Sequence, residues 1–179
     1  MKVAVTGAAG FIGRHVLAEL ETRLVESISL VRLSKGNALE NYKCTVLQFD
    51  LHNPPYNAYE LLERPDVVIH LAWSNLSNVN SPLHYEQELT AQYQFLKNLI
   101  ESGLPNLVIA GSCFEYGIYS GSVNENFDPQ PCTVYGFAKN ALRCQLVDLK
   151  TEYQFNFTWA RLFYLYGEAQ SESSLFSRI

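Results

Sequence analysis

Short apolar runs bounded by glycine, proline or charge alternate along the chain with longer stretches whose apolar residues recur every three or four positions. Val3–Thr6 is a β-branched run that ends at glycine, the pattern of a parallel strand buried on both faces. From Phe11 to Leu24 the periodicity is helical, with Ile12, Val16, Leu17 and Leu20 on one face. Ser27–Leu33 and Thr45–Phe49 read as the second and third strands, and Tyr56–Glu63 as a short helix stopped at Arg64-Pro65. Asp66–Ala72 reads as a fourth, doubly buried strand. A long helix from His84 to Ser102 follows, and Gly103 ends it. Asn106–Gly111 is the fifth strand, Pro129 and Pro131 mark a loop, Val134–Tyr153 is a helix and Phe155–Tyr164 a sixth strand. Such alternation predicts an α/β fold, a doubly wound parallel sheet joined by right-handed crossovers.

Composition narrows the function classes. The 179 residues suffice for one domain with a hydrophobic core, and 47% hydrophobic with 17% charged residues is ordinary for a globular chain. A net charge of −5 argues against a general nucleic-acid binder, which needs a basic surface. It leaves room for a nucleotide, because main-chain amides at a helix end bind phosphate without net positive charge. Cys44, Cys113, Cys132 and Cys144 form no C-x-x-C pair and no zinc spacing, so no metal site is expected and the thiols fit a reducing compartment. No apolar run approaches the ~20 residues of a membrane helix, and no signal segment opens the chain. The glycosylation patterns at Asn75 and Asn156 then read as chance matches, and the expectation is a soluble, cytoplasmic protein with no membrane partner.

The first strand-to-helix turn, Thr6-Gly-Ala-Ala-Gly-Phe-Ile-Gly13, carries the first chemical signal. Gly7, Gly10 and Gly13 stand where a tight turn, a close approach to a pyrophosphate and close helix–strand packing each demand a missing side chain. The amides of Phe11 and Ile12, at the positive end of the helix, would face the phosphates. Three glycines alone are weak evidence, but a position after the first strand and before the first helix marks a dinucleotide site in a Rossmann-type sheet. At the end of the second strand a carboxylate would select NAD and an arginine would accommodate the 2′-phosphate of NADP. The sequence offers Arg32, with Lys35 close behind, so NADP(H) is favoured over NAD(H).

Together the motifs resemble the extended short-chain dehydrogenases/reductases, in particular the NAD-dependent epimerase/dehydratase family of nucleotide-sugar enzymes. The matching pieces are TGAAGFIG at 6–13, Asp50-Leu51, HLA at 70–72, Ser112, Tyr116-Gly117, YGFAK at 135–139, Arg161 and Tyr166-Gly167. The resemblance implies that Asp50 contacts the adenine and that Leu51, Leu71 and Ala72 line the cofactor. It makes Ser112, Tyr135 and Lys139 the catalytic group, with Ser112, Cys113 and Arg161 against a nucleotide-sugar substrate. Tyr135 and Lys139, four apart on a helix, share one face. A phenol of pKa about 10 is a poor base at neutral pH. The nearby ammonium and a positive nicotinamide are expected to lower it. Tyr135 would then exchange a proton with a sugar oxygen held by Ser112 while hydride moves, and Lys139 would also hold the nicotinamide ribose.

Two departures sharpen the reading. Dehydratases of the family place an Asp-Glu pair after the serine or threonine; Cys113 and Phe114 stand there, which disfavours elimination of water and leaves a 4-epimerase or 4-keto-sugar reductase. Glu88 occupies a position where the family usually has asparagine. Relatives continue into a smaller domain that grips the sugar nucleotide. The expectation is therefore a Rossmann domain over 1–167, the start of a substrate-binding region over 168–179, and most of that second domain missing. A homodimer through the helices around 84–102 and 134–153 is expected by the same resemblance. The competing reading is a non-catalytic NADP-sensing or scaffold domain, against which Tyr135 and Lys139 count because such a module has no need of them.

Overall fold

A computed structural model describes residues 1–31, 39–168 and 170. Six parallel strands form one sheet in the order β3-β2-β1-β4-β5-β6. They are β1 (Lys2–Thr6), β2 (Glu26–Val31), β3 (Thr45–Gln48), β4 (Val67–His70), β5 (Asn106–Ser112) and β6 (Asn156–Leu162). The helices are α1 (Phe11–Thr22), α2 (Ala58–Leu61), α3 (Leu89–Glu101) and α4 (Val134–Leu149). This is the Rossmann strand order, in which the connections leave β1 and β4 toward opposite sides and open a crevice at their carboxyl ends.

The apolar strand runs are explained by burial on both faces. Along β1, Ala4 faces one core and its neighbours Val3 and Val5 face the other. The larger core gathers Ile28, Leu30, Val68, Leu107 and Ile109 from the sheet against Phe95, Leu96 and Leu99 of α3 and Leu142 and Leu146 of α4. The smaller one seats Leu17 of α1 and Leu39 against Val3, Val5 and Val31. Each of these side chains is at most 5% exposed, and burying one contributes on the order of 2 kcal/mol before conformational entropy is subtracted.

The elements differ from the periodicity mainly at their ends. Neither Phe155 nor Phe163 belongs to β6, and α4 stops at Leu149 because Lys150–Tyr153 close it with turns. The helix expected from His84 opens instead as a wide π-turn, His84–Glu88, before α3 begins. A short 3₁₀ turn, Cys113–Glu115, follows β5 with no counterpart in the periodicity. Both irregular turns lie beside the crevice.

Candidate active site

The glycine turn behaves as its sequence requires. Gly7 has a φ of 70°, and a Cβ there would lie 2.8 Å from the Ala72 nitrogen and 2.9 Å from the Leu71 carbonyl carbon. A Cβ on Gly13 would run into the Gly7 carbonyl and the Ala8 main chain. Only hydrogen side chains let β1, the turn and the end of β4 come this close. Thr6 secures the junction from below. Its hydroxyl accepts from the Leu71 and Ala72 amides at 3.2 and 3.3 Å, which leaves its proton for His70 Nδ1 at 2.9 Å. His70 is 1% exposed, and burial, with Lys139 adding to it, pushes its pKa down to about 3. It is a neutral structural ring.

Over this turn lies a cavity of about 560 Å³. Its walls include Gly7, Gly10, Phe11, Ile12, Gly13, Asp50, Leu51, Leu71 and Ala72, all expected from the sequence at the cofactor. His52, Trp73, Ser74 and Gln92 also line it and were not anticipated. Glu88 explains three of these. Its carboxylate, 2% exposed, accepts from the Ser74 amide at 3.2 Å and Gln92 Nε2 at 2.9 Å, and lies 2.9 Å from His52 Nε2. His52 Nδ1 in turn lies 3.1 Å from Asp50 Oδ1. Burial pushes the Glu88 carboxyl upward, but the hydrogen bonds from Gln92 and Ser74 and the nearby His52 outweigh it and hold it below its ordinary value. The i,i+4 spacing of Glu88 and Gln92 was the available signal, and only the π-turn shows that it faces inward.

A second cavity, of about 420 Å³, adjoins the first and shares Phe11, Ile12, Leu71, Trp73 and Leu76 with it. Ser112, Cys113, Tyr135 and Lys139 stand in its walls, brought together by the carboxyl end of β5 and the first turns of α4. Thr133 starts that helix by accepting from the Gly136 amide at 3.0 Å. Lys139 is 3% exposed, and its Nζ sits 4.3 Å from the centre of the Trp73 ring and 5.3 Å from that of Trp159. Burial draws its pKa down to about 8, with Glu115 and Glu88 opposing.

Tyr135 departs from expectation. Burial pushes its phenol up to about 12, with Glu115 and Cys113 adding to the rise and a hydrogen bond from Ser112 acting against it. Lys139 was expected to lower it, yet the ammonium is engaged with the indole faces and the desolvation of a phenolate dominates. At neutral pH the phenol therefore holds its proton. The Cys113 thiol is likewise pushed up by burial and is no thiolate.

Arg161 also lies elsewhere than anticipated. The lining of neither cavity includes it. Its Nε donates to Glu115 at 2.9 Å, and one terminal nitrogen donates to the Tyr116 hydroxyl at 3.2 Å and the Glu125 carbonyl at 3.3 Å. A half-buried guanidinium with an ion-pair partner and two further acceptors is a structural tie. The Glu115 carboxylate, fully buried, went unnoticed in the sequence, although Ser112-x-x-Glu115 is the spacing of a capping box. Among the described residues no group of three or more His, Cys, Asp or Glu is placed to hold a metal, and no helix is long and apolar enough to cross a membrane.

The model of the NAD dependent epimerase/dehydratase family matches residues 3–179, and the chain belongs to that family. It is 28% identical, over its full length and 67% of the relative's, to a dTDP-6-deoxy-L-talose 4-dehydrogenase (NAD(+)) of Aggregatibacter actinomycetemcomitans. Among solved structures it resembles UDP-glucuronic acid 4-epimerase from Bacillus cereus in complex with UDP-glucuronic acid and NAD. The TM-score is 0.83 at 24% identity, over 99% of this chain and 61% of that one. A second, MoeE5 in complex with UDP-glucose and NAD, gives 0.82 at 24% identity, over 99% and 59%. The chain thus spans about three-fifths of the solved structures it matches.

These findings overturn the preference for NADP(H). Both structures hold NAD, and the relative's name specifies NAD(+). The preference rested on Arg32 and Lys35, which lie outside the described residues. An arginine at that position supplies charge, but only its aim at the ribose would make it select a phosphate, and residue type does not specify aim.

Proposed function

We propose that this chain supplies the NAD-binding and proton-transferring part of an enzyme that oxidises, reduces or epimerises C4 of a nucleotide sugar. One observation carries the reading: the cavity lined by Ser112, Tyr135 and Lys139 runs into the cavity over the glycine turn through shared walls at Phe11, Ile12, Leu71, Trp73 and Leu76. The turn suits a dinucleotide because Gly7 and Gly13 let the main chain of the turn, of β1 and of the end of β4 pack where a Cβ would clash, the tight form that the first βα turn of such a site takes. NAD(H), when bound, supplies the hydride acceptor or donor.

The residues of the chain supply the rest. Gly7, Gly10 and Gly13 leave the main chain open to a pyrophosphate, with the first amides of α1 directed at it. Asp50, braced by the His52 amide at 3.0 Å and its ring, stands at the adenine end. At the other end the Ser112 hydroxyl accepts from the Phe114 amide at 3.2 Å, so its own proton is free to donate toward Tyr135 or a sugar oxygen. In reduction of a 4-keto sugar the carbonyl carbon gains hydride and the oxygen gains the Tyr135 proton. A phenol that stays protonated at neutral pH suits that direction. In the reverse step the sugar hydroxyl gives its proton to the Tyr135 phenolate as hydride leaves the carbon, and the hydrogen bond from Ser112 favours that phenolate. An Asp-Glu pair is absent at Cys113-Phe114, so elimination of water has no acid–base pair there.

Tyr135→Phe tests the assignment. In the enzyme containing this chain, assayed with dTDP-6-deoxy-L-talose and NAD⁺ and with UDP-glucose, turnover is expected to fall by about 10²- to 10⁴-fold. The affinity for NAD⁺, read by calorimetry, is expected to stay within about twofold because the phenol acts on the reacting oxygen. Unchanged turnover would remove the proposed proton path.

A further inference from the structure

The side chain that organises the Ser-Tyr-Lys end touches none of the reacting atoms. Glu115 is completely buried at the end of the 3₁₀ turn, and four contacts converge on its two oxygens. Oε1 accepts from the Ser112 amide at 2.7 Å and from the Trp159 indole at 2.9 Å. Oε2 accepts from the same indole at 2.9 Å and from Arg161 Nε at 2.9 Å. The packing leaves no slack: a Cβ at Gly111 would collide with the Trp159 indole and lie 2.8 Å from Oε1.

The two indoles flanking Lys139 hang from different acceptors. Trp73 donates to the neutral acceptor His84 Nδ1 at 3.1 Å, whereas Trp159 donates to the Glu115 carboxylate. One carboxylate therefore sets the main chain of the serine, the ring beside the lysine and the charge behind both. Arg161 and, through it, Tyr116 hold that carboxylate in place.

We propose that Glu115 is the positioning carboxylate of the Ser112–Tyr135–Lys139 group, fixing the serine through its amide and the lysine through the Trp159 indole, with Arg161 as its anchor. The inference rests on the proposed role of those three residues. It gives Arg161 a place in the site without substrate contact, and it adds a residue to which neither the motifs nor the names of the relatives assign a role.

Glu115→Gln tests it on this chain, independently of turnover. The protein has two tryptophans, so an indole ¹⁵N spectrum carries one signal from each. In the variant the Trp159 signal is expected to move and the Trp73 signal to stay. With [¹³Cε]-lysine, the Lys139 titration midpoint should fall below its wild-type value of about 8, because the Glu115 charge is among the groups that raise it. A merely structural loosening would hydrate Lys139 and move the midpoint the other way, toward 10.5. An unchanged or raised midpoint therefore overturns the proposal.

Should Glu115→Gln fail to fold, Glu115→Asp retains the charge but shortens the reach. It is expected to shift the Trp159 signal with little change at Lys139, and an unmoved Trp159 signal would be equally fatal. In the enzyme, Glu115→Gln should lower kcat by about 10²-fold at nearly constant NAD⁺ affinity, the scale of a small misplacement of catalytic groups. If Tyr135→Phe leaves turnover intact while Glu115→Gln still lowers the Lys139 midpoint, the catalytic reading fails and the positioning by Glu115 stands.

Discussion

Where the crevice passes over the first crossover, Gly7, Gly10 and Gly13 bring main chain to its wall beside Leu71 and Ala72. At the other end the wall presents the side chains of Ser112, Tyr135 and Lys139, packed against or tied to Trp73, Trp159 and Glu115. Each end also has a buried carboxylate, but differently satisfied. Glu88 is held by an amide, a carboxamide and a histidine, whereas Glu115 is held by an amide, an indole and an arginine. The contrast teaches what each end can tolerate. A wall of main chain is indifferent to most chemistry and intolerant of volume; a wall of packed ionisable groups has its function set by charge and desolvation.

A single added methyl group is enough to disrupt the main-chain end. Gly13→Ala drives a Cβ into the Gly7 carbonyl and the Ala8 backbone. A backbone clash of this kind costs about 3 kcal/mol or more, so NAD⁺ binding measured by calorimetry is expected to weaken by at least about 100-fold. Wild-type affinity in that variant would mean the turn is not the pyrophosphate seat.

At the side-chain end the matching probe is charge. Lys139 titrates near 8 when folded against 10.5 for its ordinary value, so between these pH values the unfolded chain binds the extra proton and stability rises with pH. Below pH 8 the buried ammonium carries its full cost. Lys139→Met removes that dependence. In urea melts the wild type is expected to gain on the variant by about 3 kcal/mol in total from pH 8 to 10.5. Parallel curves would show that the ammonium is not desolvated.

The smallest effect is expected at the buried carboxylate of the main-chain end. Glu88→Gln preserves shape and removes a charge shared among Ser74, Gln92 and His52. A loss of about 1.5–3 kcal/mol in stability is expected, the range for hydrogen bonds to a charged group. NAD⁺ affinity should drop severalfold as His52 and Asp50 loosen. Equal losses from Glu88→Gln and Glu115→Gln in kcat and in NAD⁺ affinity would erase the distinction between the two ends.

Much of this architecture was legible along the chain. Doubly buried strands read as continuous apolar runs, and Val3–Thr6 and Val67–His70 are such runs because each neighbouring side chain finds a core on its own face. The glycine turn was legible because close approach of main chain admits only glycine. Ser112, Tyr135 and Lys139 were legible as residue types at a spacing, and the fold does put them along one cavity.

The protonation of Tyr135, the partner of Arg161, the inward turn of Glu88 and the convergence on Glu115 belong to the tertiary structure alone. Each depends on what lies across space, such as residues 44 and 46 positions away for Trp159 and Arg161 on Glu115. A residue's identity states which charge or donor it can offer. Only the packing around it decides whether that group keeps its water, and so whether a phenol stays protonated and where a guanidinium points.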